Sequence, residues 1–228
     1  MPNMNNTLID NSIEALSMTA TLRKCLDVDG IKTVSIATGY WDIPGLAILQ
    51  ESLRSFIEKD GTTLRLLIGK DPYIYANQLK SPKYKDANYP LDFIKTDIHE
   101  LNVTEEYKDA IRLLLDYCTE NNDSKIQIRV FRKNENDETQ FLHSKCYIFD
   151  GKSNGIGIGI VGSTNFTQKG LQGNAELNYI ETAPNQVLSL DEIPGNKSHL
   201  IWFNEKWEIS EPWNKQFLEQ ILKSAPIT

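Results

Sequence analysis

Two short runs of aliphatic and β-branched residues, 33–37 and 64–68, enclose a stretch of helical periodicity, and this spacing constrains the fold more than any other feature. The runs read TVSIA and LRLLI, each apolar and short enough for a buried strand. Between them Pro44 suits the first turn of a helix, which then runs to about Glu58 with Leu46, Leu49, Leu53 and Ile57 turned inward. Asp60-Gly61 supplies the turn into the second strand. Strand, helix and strand in that order predict a βαβ unit, and hence an α/β fold with a partly parallel sheet.

The rest of the chain extends this pattern. Residues 8–26 carry Leu8, Ile9, Ile13, Leu16, Leu22 and Leu26 at roughly helical spacing, which predicts a first helix stopped by Asp27, Asp29 and Gly30. Thr104 with Glu105 and Glu106 behind it marks a helix start, and that helix runs to Cys118. Further strands are predicted at 126–131, 140–149, 156–161 and 176–182, with a polar hairpin tip at 134–139. A short helix is expected from 215 to 223, after a cluster of Trp202, Phe203, Trp207, Ile209 and Trp213. Residues 70–102 are polar and weakly periodic, as functional loops are. The expected architecture is one domain over residues 1–228, with a mixed central sheet flanked by helices.

Composition narrows the function. No apolar run approaches the roughly 20 residues of a membrane helix, and the N-terminus lacks the basic and apolar regions of a secretion signal. Cys25, Cys118 and Cys146 are odd in number and far apart, which favours a reducing cytoplasm over a disulfide framework. The net charge of −7 weighs against a nucleic-acid partner. Groove potentials are local, however, and residues 125–145 carry Lys125, Arg129, Arg132, Lys133 and Lys145. Arg129 and Arg132 are therefore candidates for tracking a phosphate backbone, and Tyr40 for lining a site mouth.

The chemistry lies in His143-Ser144-Lys145, Asp150, Gly162-Ser163-Thr164-Asn165 and Glu176. On a strand over 140–149, His143, Lys145 and Tyr147 share one face, and Leu142, Ser144, Cys146 and Ile148 share the other. An imidazole beside a fixed ammonium suits phosphoryl transfer, in which a nitrogen attacks and a cation neutralises a non-bridging oxygen. Gly162 permits close backbone approach, and Ser163 and Asn165 offer donors to the same phosphate. A carboxylate at Glu176 is placed to accept a proton from the far nitrogen of His143 and fix its tautomer. By strand parity Asp150 faces away from His143, so a structural part is expected for it.

His143, Lys145, Asp150, Gly162, Ser163 and Asn165 together resemble the H-x-K-x-x-x-x-D and G-S-x-N signature of the phospholipase D superfamily, and Glu176 stands where its nucleases place a carboxylate behind the histidine. Residues 142–181 carry the likeness most strongly. A weaker likeness over the whole chain points to the phospholipase D-like domains of some restriction endonucleases and helicase-like proteins. The resemblance implies a phosphohistidine on His143 and a second histidine that protonates the leaving oxygen. It also implies a chemistry without metal or other cofactor. Neither His99 nor His199 is followed by Lys two positions later, so the resemblance further implies a homodimer in which each subunit lends its His143 to one shared site.

The expected activity is that of a metal-independent phosphodiesterase, a DNA endonuclease by preference, with RNA as the other nucleic-acid substrate. A separate helicase, ATPase or specificity domain would then act with it. The alternatives are a nucleic-acid-binding module without turnover and a lipid or small-molecule phosphodiesterase. Against the lipid alternative, the sequence has no basic amphipathic helix suited to a bilayer.

Overall fold

Among the described residues, the centre of the fold is one mixed sheet of eight strands in the order β1-β7-β6-β5-β2-β3-β4-β8. The structure, a computed structural model, describes residues 8–69, 105–120, 124–131, 142–190 and 197–224. The strands are β1 (Leu8–Asp10), β2 (Thr33–Thr38), β3 (Thr63–Ile68), β4 (Ile126–Val130), β5 (Cys146–Asp150), β6 (Gly157–Gly162), β7 (Leu177–Glu181) and β8 (Glu211–Pro212). β2, β3 and β4 run parallel, as the strand-helix-strand spacing predicts, and every other pairing is antiparallel. The chain is thus an α/β protein whose mixed sheet is flanked by helices.

Helices cover the sheet unequally. On one face lie α1 (Met18–Leu26), α2 (Ile43–Ile48), α3 (Gln50–Ile57), α4 (Glu105–Tyr117) and α7 (Asn214–Ser224). Their apolar sides close a large core with Val34, Ile36, Leu64, Leu66, Tyr147, Phe149, Ile158 and Ile160. The opposite face is covered by α5 (Pro184–Val187) and α6 (His199–Glu208) over Ala37, Leu67, Cys146 and Ile148. β2 is buried at every position, with Val34 and Ile36 in the large core and Ala37 in the second. Half-buried Arg65 and Arg129 also belong to this second face. Arg65 lies 4.8 Å from the Phe203 ring centroid and 5.5 Å from that of Trp207, and Arg129 lies 5.0 Å from the latter.

Three local expectations are corrected. The helix expected over 8–26 begins only at Met18, where the Ser17 side chain accepts the Ala20 N–H. Leu8–Asp10 is instead a strand that pairs with β7, because that sheet edge offers backbone partners to the segment. The helix after Pro44 is two, broken at Leu49. The strand expected over 140–149 starts at Cys146, since β2 pairs with it only as far as Ala37 and then turns away. The expectations for 70–102 and 134–139 lie outside the described residues.

Candidate active site

β2 and β6 end, and β5 and β7 begin, at the same edge of the sheet, so the motif residues from four segments meet there. His143, Ser144 and Lys145 lie just before β5, and the Gly162 N–H donates to Lys145 O at 3.3 Å. His143 and Ser144 are exposed, whereas Lys145 is only 7% exposed and its Nζ donates to the His143 carbonyl at 2.6 Å. The ammonium is thus folded back onto the backbone of the histidine.

Gly39 is the hinge of the arrangement. A Cβ placed there would meet His143 Cδ2, Asn165 Oδ1 and Leu142 O, each at 3.4 Å. The imidazole and the Asn165 amide therefore flank the same glycine, which lets both approach the end of β2. The orientation of the amide follows from its partner: the Tyr40 N–H donates to Asn165 Oδ1 at 3.1 Å. A backbone N–H can only donate, so the oxygen faces Tyr40 and the Nδ2 donors face away from it. Thr38, fully buried, secures the turn: its hydroxyl donates to Tyr40 O at 2.6 Å and accepts the Phe166 N–H at 3.0 Å.

The Gly-Ser-Thr-Asn turn is held from below. Asn178, 2% exposed, accepts the Thr164 N–H at 3.2 Å and donates to Thr164 Oγ1 at 2.8 Å. The Tyr147 hydroxyl donates to Thr164 O at 2.8 Å. Burial, with the charge of Glu176 adding to it, pushes that phenol well above its ordinary range, so it stays a donor. Thr164, between Ser163 and Asn165, thereby anchors the turn from the sheet side. Ser163 Oγ donates to Glu176 Oε2 and accepts the Leu177 N–H at 3.1 Å, while Asn174 Nδ2 donates to Glu176 Oε1 at 3.0 Å.

The structure thus brings His143, Lys145, Gly162, Ser163, Asn165, Glu176 and the Tyr40 backbone to one edge. Asp150 lies at the other end of β5, where Oδ1 accepts the Lys152 N–H and its carbonyl accepts the Lys32 N–H at 2.9 Å. Arg129 lies apart from the group, three strands from Cys146 in the same register row, which is about 14 Å at ordinary strand spacing. Its guanidinium donates to the carbonyls of Trp207 at 2.7 Å and Ser210 at 3.4 Å, so it closes the end of α6 where phosphate contact had been expected. Arg132 lies outside the described residues. Trp41 is a core residue, edge-to-face with Phe217. Sequence reasoning missed Thr38, Gly39 and Asn178; a Thr-Gly pair closing an apolar strand was the one available signal, and Asn178 gave none.

Among the described residues no group of three or more His, Cys, Asp or Glu side chains is placed to hold a metal ion, and no helix is long and apolar enough to cross a membrane.

Residues 31–193 match the model of the family described as cardiolipin synthase, PLD-like domain. No curated protein matches the chain. Among solved structures, it is similar to Nuc, a phospholipase D family member from Salmonella typhimurium, at 14% identity and a TM-score of 0.48, over 90% of this chain and 95% of that one. It is also similar to NucT from Helicobacter pylori, at 12% identity and a TM-score of 0.43, over 90% and 96% of the two chains.

Proposed function

The chain belongs to the phospholipase D-like domain family, and from that premise we propose that it is a metal-independent phosphodiesterase acting on DNA, with His143 as nucleophile. The observation that carries the reading is the pairing of His143 and Asn165 against Gly39, with the amide donors of Asn165 turned away from Tyr40. A nitrogen of His143 attacks phosphorus, the P–O bond to the leaving group breaks, and a phosphohistidine forms. Lys145 and the Asn165 Nδ2 group stabilise the charge gathering on the non-bridging oxygens, and Ser163 joins them when its hydroxyl turns from Glu176 to the phosphate. Glu176, joined to Ser163, holds negative charge at the same edge and favours the imidazolium that attack creates.

The leaving oxygen needs a proton, and water must later be activated to release the enzyme. His143 of a second copy supplies both in a homodimer. Within one chain His199 is unsuited to this, since it packs on Gly159, on the second sheet face. A helicase or specificity subunit would supply target selection, and the cytoplasm, in defence against foreign DNA, is the proposed setting.

The experiment is cleavage of single- and double-stranded DNA in excess EDTA, wild type beside His143→Ala. We expect wild-type turnover in EDTA and a loss of three orders of magnitude or more in the variant. Equal rates for the two proteins would remove His143 from the chemistry, and loss of wild-type activity in EDTA would overturn the metal-free mechanism. The family description favours a second reading, hydrolysis or transfer on a lipid diester. Phosphatidylglycerol vesicles offered in place of DNA discriminate the two.

A further inference from the structure

On the second sheet face a cavity of about 420 Å³ opens between β5, β6 and the start of α6, with Ser144, Val161, Gly162, His199 and Trp202 in its lining. Two of these residues adjoin the proposed catalytic groups in the chain: Ser144 follows His143, and Gly162 precedes Ser163. The cavity therefore begins at the edge where the phosphorus would sit.

Its far wall depends on a glycine. A Cβ at Gly159 would fall 2.2 Å from His199 Nδ1, so the bare strand is what allows the imidazole to lie on the sheet. That nitrogen is buried with no hydrogen-bond partner among the described residues. Burial lowers the affinity of the ring for its second proton, while the nearby Glu181 charge opposes the shift. A neutral ring loses least when the orphaned nitrogen is the one without hydrogen, which leaves the N–H on Nε2. Trp202, half-buried, adds a flat apolar side. Beyond Val161 the same face continues to its cross-strand neighbours Tyr179 and Leu8, which are 43% and 53% exposed.

A phosphodiester carries an organic arm on each side of phosphorus, and one arm must lie beside the attacking strand. We propose that this cavity is a subsite for the nucleobase next to the scissile phosphate, stacked on Trp202 with its edge met by Ser144 Oγ and His199 Nε2. This rests on the phosphodiesterase reading above and names the substrate class for it. A planar arm with polar edges uses every part of the lining, whereas an acyl chain would leave Ser144 and His199 unmatched. The local charge also fits an uncharged base better than a second phosphate. Of the two lysines in the lining, Lys145 donates to the His143 carbonyl at 2.6 Å and Lys197 is engaged by both carboxylate oxygens of Glu205 at 2.6 Å, and Glu181 stands nearby, accepting the Ala183 N–H.

The test separates this subsite from the chemistry. In a His143→Ala background, binding of a labelled single-stranded 8-mer is measured by anisotropy beside an 8-mer of the same length carrying abasic positions at its centre. The Trp202→Leu and Trp202→Phe changes are then added in turn. We expect the base-bearing strand to bind roughly tenfold more tightly than the abasic one, about the value of one base–aromatic stack. Leu should abolish that ratio and Phe should keep most of it. A ratio unchanged by Trp202→Leu, or a ratio of one in the starting protein, overturns the subsite. Binding needs no turnover, so the ratio can stand or fall when the EDTA assay fails. Trp202-dependent uptake of phosphatidylglycerol without any base preference would overturn it as well, by making the occupant an acyl arm.

Discussion

The Asn165 amide takes its orientation from the Tyr40 N–H, and Tyr40 is in turn anchored by the Thr38 hydroxyl. Removing that hydroxyl with Thr38→Val leaves the shape of the side chain but breaks the contacts to Tyr40 O and Phe166 N together. We expect kcat to fall roughly 10- to 100-fold with little change in KM, the pattern of a donor that matters in the transition state. Thr38→Ser keeps the hydroxyl and should restore most of the rate. If Ser and Val are equally impaired, the effect is packing and the positioning role is lost. The three thiols make a second prediction at this scale. Burial pushes Cys25, Cys118 and Cys146 each up to about 12. In the unfolded chain they ionise near 9, so between those values the unfolded state has given up protons that the native state still holds. Their contribution is fully present below pH about 9 and lost as pH rises toward about 12. Urea midpoints across that range should fall steadily, and a thiol reagent at pH 8 should label the native protein far more slowly than the unfolded one.

Elements meet closely at β6, where glycines alternate with isoleucines so that one face packs the large core and the other admits the helices of the second face. Gly159→Ala would drive a methyl group into His199 and push the start of α6 off the sheet. Overpacking of this kind costs about 1–3 kcal/mol, and a denaturant titration should show a lower midpoint with an unchanged slope. The N-terminus of α2 offers a comparable joint. One Asp42 oxygen accepts the Gly45 N–H at 2.6 Å, capping the helix, and the Gln168 N–H at 2.9 Å, tying it to the segment after the catalytic turn. Asp42→Asn keeps an acceptor there; Asp42→Ala removes it, with an expected loss of about 1 kcal/mol or more from the lost cap alone. Equal stability of the two variants would show that the acceptor is dispensable.

At the scale of the whole molecule the single motif is the deciding feature: with His143 as the proposed nucleophile, the acid for the leaving group is proposed to come from a second copy. The proposed dimer makes a quantitative prediction. Mixing wild type with a threefold excess of His143→Ala under conditions of subunit exchange should leave about one wild-type pair in sixteen. Activity per wild-type subunit should then fall to about a quarter, the value for random pairing. Additive activity, undiminished by the variant, would mean that each chain works alone. Light scattering at the same concentrations should report twice the 26.0 kDa chain mass.

The sequence by itself determined the strand-helix-strand core, because β-branched runs and helical spacing encode burial locally, and it singled out the residues proposed to react, because their types and spacing are chemical. It placed β2, β3, β4 and α4 within about a residue of their observed bounds. Tertiary structure alone decided that Leu8–Asp10 is a strand, since the partner that satisfies its backbone lies some 170 residues away in β7. It also decided the part played by Arg129, whose charge suggested phosphate until α6 offered carbonyls and an indole ring to it. Thr38, Gly39 and Asn178 were illegible for the same reason. Each works through a contact more than ten residues away in sequence, formed only once β2, β5, β6 and β7 share an edge.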